Sequence, residues 1–226
     1  MKEIHKFHEM SSWDTLKKPP NTLDGNATSK MHFKELPKIK LNYNNIPEKN
    51  FSKIIQERYT TKEISPLENL SIEELGTFLK WSVGTRFNDK TKRVYPSAGG
   101  SYPNHIFLFI RNNLIIDDGL YWYDEKDHSI VRISSNYLYE DALLQDGIDA
   151  NLCFVIASDM NKSQEKFGLR GYRFSLLEAG HISQNMLHLA SVMGWKSAPI
   201  GGFRDEVINN RLPNEFKALF LIPVGK

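Results

Sequence analysis

The stretch "VYPSAGGSYPNHIFLFI", Val94–Ile110, joins a loop with very little side chain to one of the most hydrophobic segments of the chain. Glycine adopts backbone conformations that a Cβ forbids, and consecutive small residues leave backbone N–H groups accessible. A flat or anionic ligand can therefore lie against the main chain here, and the apolar run predicts a buried strand that anchors the loop. An ordinary turn has the same composition, so other segments have to decide between the two.

Two further segments favour the ligand. In "ERYTTKE", Arg58, Thr60 and Lys62 alternate after a helical pattern, so in extended chain two cations and a hydroxyl share one face and can converge on a phosphate. A solvated surface run has the same appearance when taken alone. In "SAPIGGF", Pro199, Gly201 and Gly202 again expose backbone. Together with the first loop, these segments indicate a planar cofactor with a phosphate tail.

The composition limits the class of protein. The chain has 226 residues, 40% of them hydrophobic, which is enough for one sizeable core, and we expect one domain over 1–226. The 29 Lys and Arg residues are interspersed with 27 Asp and Glu residues, which argues against a nucleic-acid or membrane-binding surface as the main function. No apolar run reaches the roughly 20 residues that span a bilayer. With Cys153 as the only cysteine, this predicts a cytoplasmic protein without an internal disulfide.

Hydrophobic periodicity predicts the order of elements. Residues 1–48, rich in Asn, Lys and Pro, predict an extended N-terminal arm with one short helix. Two helices follow, the first starting near Phe51 and the second at the capping box Ser71-x-x-Glu74. After the loop come three strand-like runs, the last two joined as a hairpin, and then the apolar run "NLCFVIAS" of a central strand.

A long helix over "YRFSLLEAGHISQNMLHLASVMGW" has a wide apolar stripe whose small members, Ala179, Gly180 and Ser183, allow close approach of another helix. The chain then continues through "SAPIGGF" and a short helix to the strand "ALFLIPVGK". Helices followed by mixed strands and helices predict an α+β fold with a sheet between helices.

Rival sites are weaker. Glu178-x-x-His181 has half of a di-iron pattern, but the second Glu-x-x-His is absent. His181 and His188 lie two turns apart on one predicted helix without a third ligand, so we predict no metal site. There is no GxGxxG fingerprint and no P-loop, and Cys153 lies inside an apolar strand.

The quoted segments, together with "FHEMSS", "HFKELPKIKL", "GYRFSLLEAGHISQNML" and "LIPVGK", resemble in order and spacing the FMN-dependent nitroreductase superfamily. Within it they resemble the SagB-type oxidoreductases, which include the azoline dehydrogenases of ribosomal peptide biosynthesis. The resemblance implies a three-layer α/β/α fold with a central mixed, mainly antiparallel sheet. It also implies a domain-swapped homodimer with two FMN sites at the subunit interface; packing of the long helix within a monomer is the alternative.

The resemblance also assigns roles to individual residues. It implies that Arg58, Thr60 and Lys62 hold the FMN phosphate and ribityl chain, with Lys62 nearer the pyrimidine edge, where a cation stabilises reduced flavin. Lys226 would supply a further cation near the phosphate. The remaining residues would line or cover the isoalloxazine ring, with the Gly201 N–H directed at flavin N5: Pro96, Ser97, Ala98, Gly99, Gly100, Pro199, Ile200, Gly201 and Gly202. Gly100 stands where many simpler nitroreductases have Asn.

The proton chemistry is less complete. Azoline dehydrogenases have a Lys-Tyr pair just before the long helix, and this chain has Lys166 followed by Phe167. Phenylalanine cannot exchange a proton, so either Lys166 acts alone, or Tyr172 contributes, or the reaction differs.

Three functions follow. The first is an FMN-dependent tailoring enzyme that oxidises azolines in a peptide to azoles. The second is a reductase of nitro, quinone or dehydroamino-acid substrates with NAD(P)H as a transient donor. The third is a flavoprotein scaffold that acts with other biosynthetic proteins.

Overall fold

A computed structural model describes residues 2–12 and 32–226 of the chain. Residues 13–31 of the predicted N-terminal arm lie outside the described residues. In chain order the helices and strands are α1 (Lys2–Met10), β1 (Lys38–Lys40), α2 (Phe51–Glu57), α3 (Ile72–Val83), β2 (Asn104–Ile110), β3 (Gly119–Asp124), β4 (Ser129–Ser134), β5 (Leu152–Asp159), α4 (Met160–Phe167), α5 (Arg170–Val192), β6 (Lys196–Ser197), α6 (Asp205–Asn209) and β7 (Phe216–Gly225).

The seven strands form one sheet in the order β1-β4-β3-β2-β5-β7-β6. All pairings between these strands are antiparallel, so the expected mainly antiparallel sheet is confirmed and its pairing is more uniform than the predicted mixture. The apolar run from Leu152 to Asp159 is a central strand with all eight residues buried, as its composition predicts.

Two cores lie on opposite faces of the sheet because side chains alternate along each strand. On β2, Ile106 and Leu108 face α3 and α5, whereas Phe107 and Phe109 face the side covered by α6 and irregular segments. Burying each such side chain contributes roughly 1.5–3 kcal/mol. This arrangement confirms the α+β, three-layer architecture.

Helix α3, the second helix predicted after the arm, begins as the sequence predicts. The Ser71 hydroxyl accepts the Glu74 N–H at 3.1 Å, and the Glu74 carboxylate accepts the Ser71 N–H at 3.0 Å. These bonds form the predicted capping box. Part of the N-terminal arm lies on this helix, since the Asn44 N–H donates to the Thr77 hydroxyl and Trp81 Nε1 donates to the Asn44 carbonyl, both at 2.9 Å.

A turn separates α5, which contains the predicted long helix, from α4, a helix that the sequence analysis did not predict. Gly168 ends α4 with φ 57°, and its N–H donates to the Gln164 carbonyl at 2.7 Å. The break places Lys166 and Phe167 in the last turn of a separate helix. Among the described residues, no helix has both the length and the apolar character that crossing a membrane requires.

Candidate active site

The predicted phosphate segment is extended, as its alternating pattern requires. The chain leaves α2 at Glu57, and Arg58 Nη1 lies 3.5 Å from the Thr60 hydroxyl, so these two side chains share a face. Ser65 and Lys226 exchange two backbone hydrogen bonds of 2.9 Å, which brings the last residue alongside this segment. In the described residues Arg58, Lys62 and Lys226 form no ion pair with an acidic side chain. Three cations are thus available to an anion.

The "PIGG" segment joins the same region. Ile200 exchanges backbone hydrogen bonds of 2.8 and 3.0 Å with Leu221 of β7, and the next residue, Gly201, is exposed above the Phe220 ring. A Cβ on Gly201 would meet only that ring, at 3.5 Å, so the backbone of Gly201 is accessible to a flat ligand. Gln145 Nε2 donates to the Gly202 carbonyl at 2.9 Å.

The loop that contains Gln145 also contacts the basic segment, because the Ile64 N–H lies 3.4 Å from the Gly147 carbonyl. One chain therefore brings together a group that we call the basic half-site: Arg58, Thr60, Lys62, Gly201, Gly202 and Lys226. The sequence interpretation missed Gln145, which has no motif around it.

The Gly-rich loop, Pro96–Gly100, has the backbone that its composition predicts. Gly99 and Gly100 have φ values of 54° and 62°, in the left-handed region that favours glycine. A Cβ on Gly99 would lie 3.1 Å from the Phe167 ring, whereas a Cβ on Gly100 would meet only Lys92 Nζ, at 3.7 Å. The loop is therefore closed against α4 on one side and open on the other.

Lys166 is positioned on this loop. Its Nζ donates a hydrogen bond of 2.7 Å to the Gly99 carbonyl. Four residues earlier on the same helix, Lys162 Nζ donates to the Tyr102 carbonyl at 3.1 Å. Because residues four apart share one face of a helix, α4 holds two main-chain oxygens, one in the loop and one two residues after it.

A cavity of about 920 Å³ adjoins the open side of the loop. Its volume is within the range of small-molecule sites. Arg93 lines it, pairs with Glu125 and places its guanidinium 4.9 Å from the centre of the Tyr102 ring. The lining residues are Arg86, Phe87, Asn88, Asp89, Lys92, Arg93, Val94, Tyr95, Pro96, Ser97, Gly100 and Tyr102.

A buried acid lies beneath the loop. Glu178 of α5 accepts the Asn104 N–H at 3.2 Å. Burial raises the pKa of Glu178 to about 7, although the hydrogen bonds from Ser97 and Asn104 oppose this shift. The sequence interpretation considered Glu178 only as a metal ligand. Its position on the core-facing side of an amphipathic helix was the signal that could have identified it as a buried acid.

The Gly-rich loop and Lys226 lie toward opposite ends of the sheet. The loop precedes Asn104 of β2, which pairs with Ser158 at one end of β5. Lys226 lies two residues after Val224 of β7, which pairs with Leu152 at the other end of β5. The seven residues of β2 separate the two ends by roughly 20 Å at about 3.3 Å per residue. One chain therefore does not bring all the predicted cofactor-binding residues into one place.

The other singled-out residues lie elsewhere. The Tyr172 ring packs edge to face on Phe7 of α1, with centroids 5.9 Å apart, and none of its described contacts reaches the Gly-rich loop. The His188 ring packs on Phe51 at 6.0 Å. Cys153 is fully buried, as expected for a core residue. No group of three or more His, Cys, Asp or Glu side chains in the described residues is placed to hold a metal.

These residues fit FMN. The accessible backbone at Gly100 and Gly201 leaves room for a flat ring, since a Cβ at either position would have no backbone atom among its nearest neighbours. The cations of the basic half-site suit a phosphate.

Comparisons with known proteins agree with this geometry. The model of the nitroreductase family matches residues 55–226. A candidate nitroreductase from Methanocaldococcus jannaschii is 31% identical over 162 residues, which cover 70% of this chain and 81% of that protein.

Solved structures share the fold. A candidate nitroreductase from Anabaena variabilis aligns with TM-score 0.73 and 23% identity over 87% of this chain, which spans only 43% of that longer chain. The Escherichia coli microcin synthetase McbBCD complex with truncated pro-MccB17 aligns with TM-score 0.68 and 19% identity, covering 100% of this chain and 92% of that chain. A candidate nitroreductase from Exiguobacterium sibiricum in complex with FMN aligns with TM-score 0.56 and 14% identity, over 80% and 90% of the two chains.

The family match covers more than half of the chain, and the fold and the glycine-lined, basic segments agree with it. The protein therefore belongs to the nitroreductase family, a class of FMN-dependent oxidoreductases.

Proposed function

We propose that this protein is a SagB-type, FMN-dependent tailoring enzyme that oxidises azoline rings in a modified peptide to azoles. The observation that carries the proposal is the hydrogen bond from Lys166 Nζ to the Gly99 carbonyl, which puts an amine at the edge of the loop expected to line the flavin. The full-length likeness to a chain of the microcin synthetase complex supports it, and also supports a role for partner proteins in biosynthesis.

FMN would be held between two copies of the chain. Because the Gly-rich loop and the Lys226 end of the basic half-site stand roughly 20 Å apart along β2, we propose that a loop from a second copy closes each site. The exposed side of α5 offers a surface for that copy: Leu176 and Leu177 are 42% and 62% exposed, and a Cβ on Gly180 would meet nothing within 4 Å. A domain-swapped homodimer is therefore the proposed assembly, and sedimentation of the purified protein as a monomer would contradict it.

The chain's residues then have distinct roles. Arg58, Thr60 and Lys226 bind the phosphate end, and Lys62 lies nearer the ring, where its charge stabilises the reduced cofactor. Bound FMN supplies hydride transfer. Azoline oxidation also removes a proton from carbon, and Lys166 is the group placed to accept it in its neutral form.

A second function is supported by Phe167. Its ring lies against Gly99 on the loop, where azoline dehydrogenases have a phenol, and it has no proton to exchange. A reductase of nitro, quinone or dehydroamino-acid substrates with NAD(P)H as donor does not require this phenol, and Lys166 would then supply a proton to the reduced product.

Anaerobic titration of the FMN-loaded protein distinguishes the two functions. We expect an azoline-containing peptide to bleach the flavin absorbance and to be recovered as the azole. Rapid bleaching by NADPH or NADH, without reaction with the azoline peptide, would establish the reductase instead. A protein that binds FMN and reacts with neither donor fits the scaffold function.

A further inference from the structure

Glu178 contacts both ends of the segment that contains the Gly-rich loop. Its side chain is buried, on the core-facing side of α5. The carboxylate accepts the backbone N–H of Asn104, the first residue of β2, at 3.2 Å, and the Ser97 side chain favours its charged form. One acid from the long helix thus ties residue 104 to the core and lies close to Ser97.

Between these two residues the backbone is strained. Tyr102 has a φ of 46°, in the left-handed region that is unfavourable for a residue with a side chain. Its N–H donates to the Ser97 hydroxyl at 2.9 Å, and its carbonyl accepts Lys162 Nζ at 3.1 Å. Ser97, Tyr102 and Lys162 therefore form one connected network that holds the backbone in an unfavourable conformation, and Glu178 holds Asn104 at its end.

We propose that Glu178 is a positioning residue for the Gly-rich loop, and that loss of its proton loosens the loop and weakens FMN binding. The part of this inference that concerns FMN rests on the proposed function of the loop. Asn104 Oδ1 is buried and has no hydrogen-bond partner among the described residues. Glu178 contacts the main chain of this residue, and a protonated carboxyl supplies a hydrogen-bond donor that a carboxylate lacks.

The charges around Glu178 do not cancel the rise in its pKa. Lys162 from α4 favours the carboxylate, and Tyr95, buried before the loop, faces the same acid. The charges of Arg93, Glu125 and Asp159 shift the pKa of Lys162. Those of Arg93 and Glu125 also shift the pKa of Tyr95. Burial outweighs these contributions and raises the pKa of Glu178 to about 7. Because the closed loop holds the proton more tightly than a solvated loop does, raising the pH through 7 favours opening.

The test compares wild type with Glu178→Gln, which has a similar shape and stays neutral. FMN dissociation constants are measured from pH 6 to 8.5 by quenching of flavin fluorescence. We expect the constant of wild type to rise about tenfold more than that of Glu178→Gln over this range. Glu165→Gln, an exposed acid on α4, is the matched control and should keep the wild-type pH dependence. The FMN phosphate titrates near pH 6 and affects all three proteins equally.

Equal pH dependence in wild type and Glu178→Gln overturns the proposal. Amide hydrogen exchange on the FMN-free wild type gives a second measurement that depends neither on the variant nor on FMN. Protection factors of residues 98–104 should fall about tenfold between pH 6 and 8.5, and a constant protection factor would contradict the role of Glu178. Absence of FMN binding at every pH would instead refute the proposed function, while hydrogen exchange would still decide whether Glu178 positions the loop.

Discussion

Lys166 Nζ and the Gly99 carbonyl oxygen are joined by a hydrogen bond of 2.7 Å, although the two residues are 67 positions apart in the chain. Gly99 makes this contact possible because a Cβ there would lie 3.2 Å from Lys166 Nζ and 3.1 Å from the Phe167 ring. The last turn of α4 and the Gly-rich loop therefore pack together as one unit, in which Lys166 is the side chain that can exchange a proton.

Replacing Lys166 by alanine should abolish most azole formation and leave FMN bound. General acid–base groups contribute about 10²–10⁴-fold to rates, so we expect turnover of an azoline peptide to fall at least about 100-fold. The FMN dissociation constant should rise no more than about tenfold, because a single hydrogen bond contributes about 0.5–1.5 kcal/mol. Product analysis by mass spectrometry and fluorescence titration measure the two effects.

Lys126→Ala, which removes an exposed lysine from the turn between β3 and β4, is the control and should be silent. Unchanged azole formation in Lys166→Ala would remove the lysine from the mechanism.

Phe167→Tyr should shift the balance between the two proposed reactions. The Phe167 atom nearest to Gly99 is Cζ, the position at which tyrosine has its hydroxyl, so the variant places an acid–base group at the loop. We expect azole formation to rise about tenfold, while the rate of flavin reduction by NAD(P)H changes little.

The neighbouring ring offers a matched control. Phe174 packs on Phe167 with centroids 5.0 Å apart, and Phe174→Tyr adds the same hydroxyl on α5. An equal gain from both variants would show that the effect does not depend on the position beside Gly99.

Removal of the cations in the basic half-site should weaken FMN binding in a salt-dependent way. Charge-assisted hydrogen bonds contribute about 1.5–3 kcal/mol, so Arg58→Ala and Lys62→Ala should each raise the FMN dissociation constant about 10- to 100-fold. The difference from wild type should shrink at high salt because exposed charges are screened. Fluorescence titration at two ionic strengths measures it.

Lys53→Ala tests whether any nearby lysine has the same effect. Lys53 lies on α2 and pairs with Glu57 at 3.5 Å, so its loss should leave FMN affinity near the wild-type value. Wild-type affinity in both Arg58→Ala and Lys62→Ala would place the phosphate elsewhere.

The buried acid also predicts how stability depends on pH. The pKa of Glu178 is raised from 4.5 to about 7 in the folded protein. Between pH 4.5 and about 7 the folded state therefore binds more protons than the unfolded state. The stabilisation of the folded state by this proton is complete below pH 4.5 and is lost as the pH rises through about 7. Relative to Glu178→Gln, wild type should lose at most about 3 kcal/mol of unfolding free energy across this window.

Urea unfolding of both FMN-free proteins at several pH values measures the difference. His128, whose pKa burial lowers to about 4, contributes equally to both and cancels. A difference that stays constant with pH would mean that Glu178 titrates normally in the folded protein.

Local features were predictable from the sequence because their causes are local. The capping box at Ser71 needs only two residues three positions apart, and the shared face of Arg58 and Thr60 needs only an extended backbone. The long apolar run of β5 indicated a central strand by composition alone. Helix α4 was not predicted because its only apolar residues, Met160 and Phe167, are too few to form a helical stripe.

By itself, the sequence determined the α+β class, the order of the main elements, the bare backbone at Gly99 and Gly201, and the family to which the chain belongs. Only the tertiary structure decided which of these segments meet: it joined the basic segment to the "PIGG" segment through the loop that contains Gln145, and it placed Lys226 at the end of the sheet away from the Gly-rich loop. It also placed Glu178 beneath Asn104, 74 residues away in the chain. The reason is physical, because backbone conformation follows from neighbouring residues, whereas burial, hydrogen-bond partners and the pKa of a buried acid depend on distant segments that fold against it.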